Sequence, residues 1–177
     1  MGKHQDTPQE FAYGFRGRMD ERYDMVRSVI GRKYIYIRNY MPHKPYGQHV
    51  SYMFKTPTTQ VWKKMFEEGK LNPAQSHFWQ TKPAEELYDL EIDPDEVNNL
   101  VNSRQHLQIL KKMRRAHLDH VRSIRDFGFL PEGEIHERSR GSTPYESARD
   151  QKKYPLEKIL SAAQLATSLK KSDLGKI

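Results

Sequence analysis

The chain reads as an α+β fold: a small antiparallel sheet of three or four strands packed by one long helix, then an extended tail and one further helix. Three observations predict it. Aromatic and β-branched residues alternate over residues 11–38 and recur at 87–90. One sustained amphipathic stretch covers residues 103–126. Residues 127–153 are polar, carry Pro131, Gly133, Gly141 and Pro144, and show no periodicity. A period of two marks a half-buried strand and a period of 3.6 a helix, whereas a stretch with neither reads as loop.

Residues 1–10 are polar and predict a frayed N-terminus. Phe11, Tyr13 and Phe15 fall on one face of a first strand. A charged loop from Arg16 to Arg22 contains Gly17. Tyr23 to Val29 then reads as a strand, Ile30-Gly31-Arg32 as a turn, and Lys33 to Arg38 as the returning strand. This hairpin sets Tyr34 and Tyr36 against Ile35 and Ile37 on opposite faces. Residues 39–48 form a loop with Pro42, Pro45 and Gly47. Thr56 is placed to cap a helix with Pro57 in its first turn, an apolar stripe of Val61, Trp62, Met65 and Phe66, and Gly69 as its stop. A second short helix starts at Asn72-Pro73 and ends near Trp79.

Residues 86–100 read as a strand, a tight acidic turn and the approach to a helix. Leu87, Tyr88 and Leu90 suit a paired strand, and Asp93-Pro94 forces a turn because proline fixes its own φ and keeps its predecessor extended. Asn98 and Asn99 close that turn through side-chain to backbone hydrogen bonds. In the 103–126 helix, Leu107, Leu110, Met113, Leu118, Val121 and Ile124 lie within an arc of roughly 140°. Arg104, Lys111, Arg115 and Arg122 occupy the remainder, which reads as a solvated basic face or a polyanion-binding one. Residues 127–153 read as an extended tail or a wrap-around segment, with the tail as a unit at 131–153. The final stretch, 154–177, holds an amphipathic helix with Leu156, Ile159, Leu160, Ala163 and Leu169. Its apolar face needs a neighbour, so it either docks on the main unit (11–130) or opens a helical-repeat region.

Composition narrows the function. With 177 residues the chain is one ordinary domain with an appendage. A hydrophobic share of 36% against 30% charged implies a modest core, and 11% aromatics argue against wholesale disorder. Zero cysteines exclude disulfides, thiolate zinc sites and cysteine nucleophiles. His117 and His120 stand at i, i+3 without a third ligand, so no metal site is assigned. No run of 18 apolar residues and no apolar leader occurs, so no membrane partner is expected. Met1-Gly2 with Asp6 does not fit a myristoylation motif. The net charge of +7 favours a polyanion: nucleic acid, anionic lipid or sulfated glycan.

Two loops carry candidate binding residues, and no catalytic residue is assigned. Arg16, Arg18, Asp20, Glu21 and Arg22 crowd the first; the guanidinium fork matches sulfate, and carboxylates accept from sugar hydroxyls. His43, Lys44, Tyr46 and Gln48 make the second, on a loop stiffened by Pro42 and Pro45. The competing readings are a mutually neutralising surface loop and an ordinary exposed turn.

Glu86 to Leu100 resembles the E-L-Y-D-L-x-x-D-P-x-E-x-x-N-L signature near the end of the C-terminal subdomain of sulfatases, where it is structural. Tyr13 to Val29 resembles the late strand–loop–strand of bacterial sulfatases similar to N-sulfoglucosamine sulfohydrolase, Lys33 to Tyr40 the next strand, and Pro42 to Gln48 the next loop. The likeness runs in order over residues 10–130, and more weakly after 154, where it is similar to appended helical repeats. Sulfatases use a formylglycine made in a Cys/Ser-x-Pro-x-Arg motif together with calcium. Here Ser142-Thr143-Pro144 continues with Tyr145 and Glu146, without the arginine. The resemblance thus implies a C-terminal fragment, inactive alone, with cofactors (calcium and formylglycine) expected in a missing catalytic domain. Sulfated carbohydrate, glycosaminoglycan-like or N-sulfated, would be the substrate, and nucleic acid is not the favoured partner. The alternatives are a basic polyanion- or nucleic-acid-binding module and a free-standing interaction protein. A fragment should also expose apolar surface around Phe11, Tyr13 and the 23–38 hairpin.

Overall fold

The computed structural model describes residues 9–168. Strands β1 (Ala12–Arg16), β2 (Val26–Ile30), β3 (Tyr34–Asn39) and β4 (Glu85–Asp89) form one antiparallel sheet in sequence order. The register Tyr13↔Val29, Val29↔Tyr36 and Tyr36↔Leu87 sets these residues in a row across one face. Helix α4 (Leu107–Ile124) covers that face with Leu110 and Met113, and Val29, Tyr36 and Leu87 are buried beneath it. The α+β architecture is the one expected. Tyr13 and Phe15 remain exposed at the outer strand, and the inner part of the hairpin does not.

The long β3–β4 connection is helical. Helix α1 (Ser51–Phe54) was not anticipated; α2 (Pro57–Glu67) and α3 (Pro73–Ser76) were. Thr56 precedes α2 but its side chain makes no capping bond, and Val61 is 58% exposed, so the predicted stripe narrows to Trp62 and Phe66. Trp62 stacks on Phe78 and meets Trp79 edge-on. Gly69 follows α2 at φ 67°, the left-handed stop that a residue without Cβ adopts freely. Asn72 and Gln75 cap α3 reciprocally.

The 86–100 stretch clasps itself. Asp93 accepts from the backbone N–H of Val97 and Asn98 at 3.1 and 2.8 Å. Asn99 Oδ1 accepts from Leu87 and Val101 N–H, both at 3.0 Å, and its Nδ2 donates to the Glu85 carbonyl. These bonds fix the exit from β4 and the entry to α4.

Along α4 the buried positions are Leu110, Met113, His117 and Val121, whereas Leu107 and Ile124 are 41% and 46% exposed. An imidazole thus occupies a place in the apolar face, which corrects the predicted arc. The 127–153 stretch, expected to be an extended tail or a wrap-around segment, is not extended: it folds into a 3-10 turn (Phe127–Phe129), α5 (Glu132–Arg138) and α6 (Pro144–Arg149). Each helix is at most seven residues long. That length is too short to display an amphipathic period; at α6 Thr143 and Glu146 close a reciprocal capping box, whereas α5 follows Pro131 without a side-chain cap. Helix α7 (Leu156–Ala166) docks on the main unit. Leu156 and Leu160 join Tyr40, Val121, Phe129 and Tyr154 in a second core. Leu169, assigned to this helix from the sequence, and residues 1–8 of the expected frayed terminus lie outside the described residues.

Candidate functional site

The two candidate loops meet at a buried carboxylate. Asp24, 2% exposed, accepts from Met25 N–H at 2.9 Å, from Gln48 Nε2 at 3.3 Å and from Lys82 Nζ at 2.5 Å, with Arg16 Nε 3.9 Å away. Local structure puts them there. Arg16 ends β1, and Met19 and Arg22 then close a tight turn by reciprocal backbone bonds of 2.8 and 3.0 Å, with Asp20 at φ 51°. The return brings Asp24 beneath the end of β1.

The second loop is laced onto residues 78–82. Gly47 N–H donates to the Phe78 carbonyl at 2.7 Å, Tyr46 N–H to Gln80, and Lys82 N–H to the Pro42 carbonyl. Only glycine fits at 47, because a Cβ would stand 2.5 Å from the Phe78 ring and 3.0 Å from its carbonyl oxygen. This lacing delivers Gln48 from one side and Lys82 from the other.

Cationic charge exceeds what Asp24 neutralises. Burial lowers the Arg16 pKa, and the neighbouring Arg22 lowers it further against the pull of Asp24. Burial likewise lowers Lys82, opposed by its bond to Asp24. Arg16 Nη2 and Arg22 Nε are sealed from solvent without a hydrogen-bond acceptor. The rest of the Arg16 side chain is 37% exposed, and a carboxylate or sulfate approaching that accessible part would supply the missing counter-charge. The adjacent carboxylate cannot, because Glu86 is already saturated: it accepts from Asn39 Nδ2 at 2.6 Å, Tyr46 OH at 3.0 Å and Tyr88 OH at 2.6 Å. Burial, reinforced by Glu86, pushes both phenols up.

The structure therefore gathers Arg16, Arg22 and Gln48 at one point, with Tyr46 one step away through Glu86. It does not gather the rest. Arg18 turns outward to pair with Glu132, and Asp20 sits exposed at the tip of the turn. Glu21 accepts from Ser51 N–H at 2.6 Å and from Ser51 Oγ at the start of α1; hydrogen bonds from Ser51 hold its carboxyl below the usual value. His43 is exposed and Lys44 half-buried, and neither side chain makes a hydrogen bond or ion pair among the described residues. Asp24, Lys82 and Glu86 were missed as site residues. Asp24 stood at the start of the stretch read as a strand, Lys82 carries no local signal at all, and Glu86 stood inside a stretch read as structural.

On the basic face of α4, Arg114 grips Glu85 through two bonds of 2.7 and 2.6 Å, Arg122 pairs with Glu157, and Arg115 with Asp119. Arg104 and Lys111 make no ion pair among the described residues. On the far side of the first loop, a cavity of about 630 Å3 opens between β1, β2, the end of α4 and α5.

No family model matches this chain. It is 32% identical, over 136 residues and 76% of its length, to an ulvan-active sulfatase of Formosa agariphila. The chain spans 23% of that relative's length. Most of the chain is thus a sulfatase-like region.

Proposed function

We propose that this sulfatase-like chain is the C-terminal part of an enzyme that removes sulfate from a sulfated carbohydrate, and that it supplies a binding wall of the cleft. The single observation that carries this reading is the cation excess around Asp24: one buried carboxylate already paired with Lys82 faces Arg16, 3.9 Å away and 37% exposed, with Arg22 beside it. A sulfate has three peripheral oxygens that accept from such forks. Sulfate esters and sulfamates share those oxygens, so the cluster suits an N-sulfated sugar as well as an O-sulfated one. The relative is, by its name, a sulfatase active on ulvan, which supports a sulfated substrate and does not choose between the two.

In this reading the chain's own residues bind and orient. Arg16 and Arg22 hold the anion, Asp24 and Gln48 fix their approach, and Lys82 sets the local potential. On the same reading, formylglycine and calcium would be supplied by a catalytic domain outside the residues of this chain. The residues here do not fit a hard cation: Asp24 is committed to Lys82, and the described residues bring no three ligating side chains together. No step is therefore assigned to a metal in this chain.

Titration of the chain with a sulfated oligosaccharide and its chemically desulfated counterpart, followed calorimetrically, tests the reading. Arg16→Met should weaken the sulfated ligand by about tenfold, the scale of one charge-assisted bond, and leave the desulfated one unchanged. Equal affinities for both ligands in the unaltered chain would sink the proposal. A salt series with DNA, RNA and heparin separates the polyanion-module alternative, which requires a steep loss on all three. Sulfatase activity of the chain by itself should stay at background.

A further inference from the structure

We infer that the cavity between β1, β2, α5 and the C-terminal end of α4 is a second binding site, which takes an uncharged pyranose ring. Its volume of about 630 Å3 lies in the range of small-molecule pockets. The assignment of a sugar as natural ligand rests on the carbohydrate reading above; the shape and charge of the site do not.

The wall has two kinds of surface. Tyr13 lies flat on His120 with ring centroids 3.8 Å apart and planes within 3°, a rigid aromatic platform beside β1. Phe15, 83% exposed, stands next to it on the same strand face, and Val121, Leu130 and Ile135 continue the apolar lining. Aromatic faces of this kind pack against the C–H face of a pyranose. The second surface is acidic: Asp20, Asp126 and Glu132 reach the cavity and can accept only from hydroxyl or amine donors.

Charge then decides against an anion. Arg27 is bound by Asp126 through bonds of 2.5 and 3.1 Å, and Arg18 by Glu132. Asp20 makes no ion pair among the described residues, so the wall has a surplus carboxylate rather than a free cation. Burial lowers the pKa of both His117 and His120, which keeps these rings uncharged near neutral pH. A lipid tail or apolar peptide would leave Asp20 desolvated and unpaired. A hydroxyl-bearing ring satisfies both surfaces. Asp24 also lines this cavity, so the ring site adjoins the cation cluster. A polysaccharide could place its sulfate at one and a neutral neighbour at the other.

Two-dimensional NMR on the full chain tests this, with a panel of neutral disaccharides (hexose, pentose, deoxyhexose and N-acetylhexosamine) and inorganic sulfate as separate probes. At least one neutral disaccharide should shift resonances of Tyr13, Phe15 and Ile135 saturably. Phe15→Ala, at an exposed position, should weaken it about fivefold or more, and Asp20→Asn should weaken it as well. Sulfate should instead shift residues around Arg16 and Arg22, an effect lost in Arg16→Met and kept in Phe15→Ala. If no neutral saccharide perturbs the cavity, or Phe15→Ala binds as the unaltered chain does, the second site is wrong. If sulfate fails at Arg16 while the saccharide still binds, the anion reading falls and the ring site stands.

Discussion

His117 stands among the apolar residues of α4, 4% exposed, its Nε2 2.8 Å from the Tyr40 hydroxyl. Burial, with Arg38 and Arg27 adding repulsion, lowers its pKa from 6.5 to about 4. Between those values the unfolded chain binds a proton that the folded chain refuses. Stability therefore rises with pH across this window, and on acidification it falls by an amount on the order of 3 kcal/mol. Thermal melts from pH 7 to pH 4 should show a declining Tm, with a clearly shallower decline in His117→Gln. An unchanged slope in the variant would assign the effect elsewhere. Glu85 is distinguishable: burial would raise it, but Arg114 and Tyr36 hold it below 4.5, so its contribution is lost only at more acid pH. None of this is legible in the sequence. His117 and Tyr40 are 77 positions apart, and spacing alone does not say that a histidine on a helix will face inward. The same holds for Asp24, whose partner Lys82 lies 58 positions away.

At the scale of elements, the strands and α4 were legible because their periods repeat several times, whereas α5 and α6 are too short to show one. A signal for α6 was nonetheless present: Thr143, Pro144 and Glu146 spell a capping box with proline in the first turn. Long-range ties between elements leave no such trace. Arg125 ends α4 in the left-handed region at φ 56°, a conformation that costs a non-glycine residue roughly 1 kcal/mol. It is held there because Nε donates to the Ala148 carbonyl at 2.7 Å and Nη2 to the Tyr154 carbonyl at 2.9 Å, joining α4 to α6 and to the segment that follows it. Arg125→Gly relieves the backbone but removes two charge-assisted bonds of about 1.5 kcal/mol each. The net expectation is a loss of about 2 kcal/mol in urea denaturation. A variant more stable than the parent would show that backbone strain outweighs the tie.

Across the whole molecule, two apolar cores share one helix. Leu110 and Met113 of α4 pack on Val29, Tyr36 and Leu87 of the sheet. Two turns further on, Val121 packs with Tyr40, Phe129, Leu156 and Leu160. Because α4 belongs to both, neither core survives loss of the other, and the sulfatase-like sheet and the helical C-terminal segment should melt as one unit. Leu87→Ala and Leu160→Ala each open a fully buried site and should cost about 2–5 kcal/mol. Calorimetry on both variants should give a single transition moved to lower temperature in each case. A second, separately moving transition in Leu160→Ala would mean that α7 is an appendage. The distinction bears on binding, because the end of α4 and α5 wall the proposed ring site: in Leu160→Ala, 25 positions or more from any of Phe15, Val121 and Ile135 in sequence, binding of a neutral disaccharide and of sulfate should be lost over the same temperature range, whereas loss of the disaccharide first would show that the two cores melt separately.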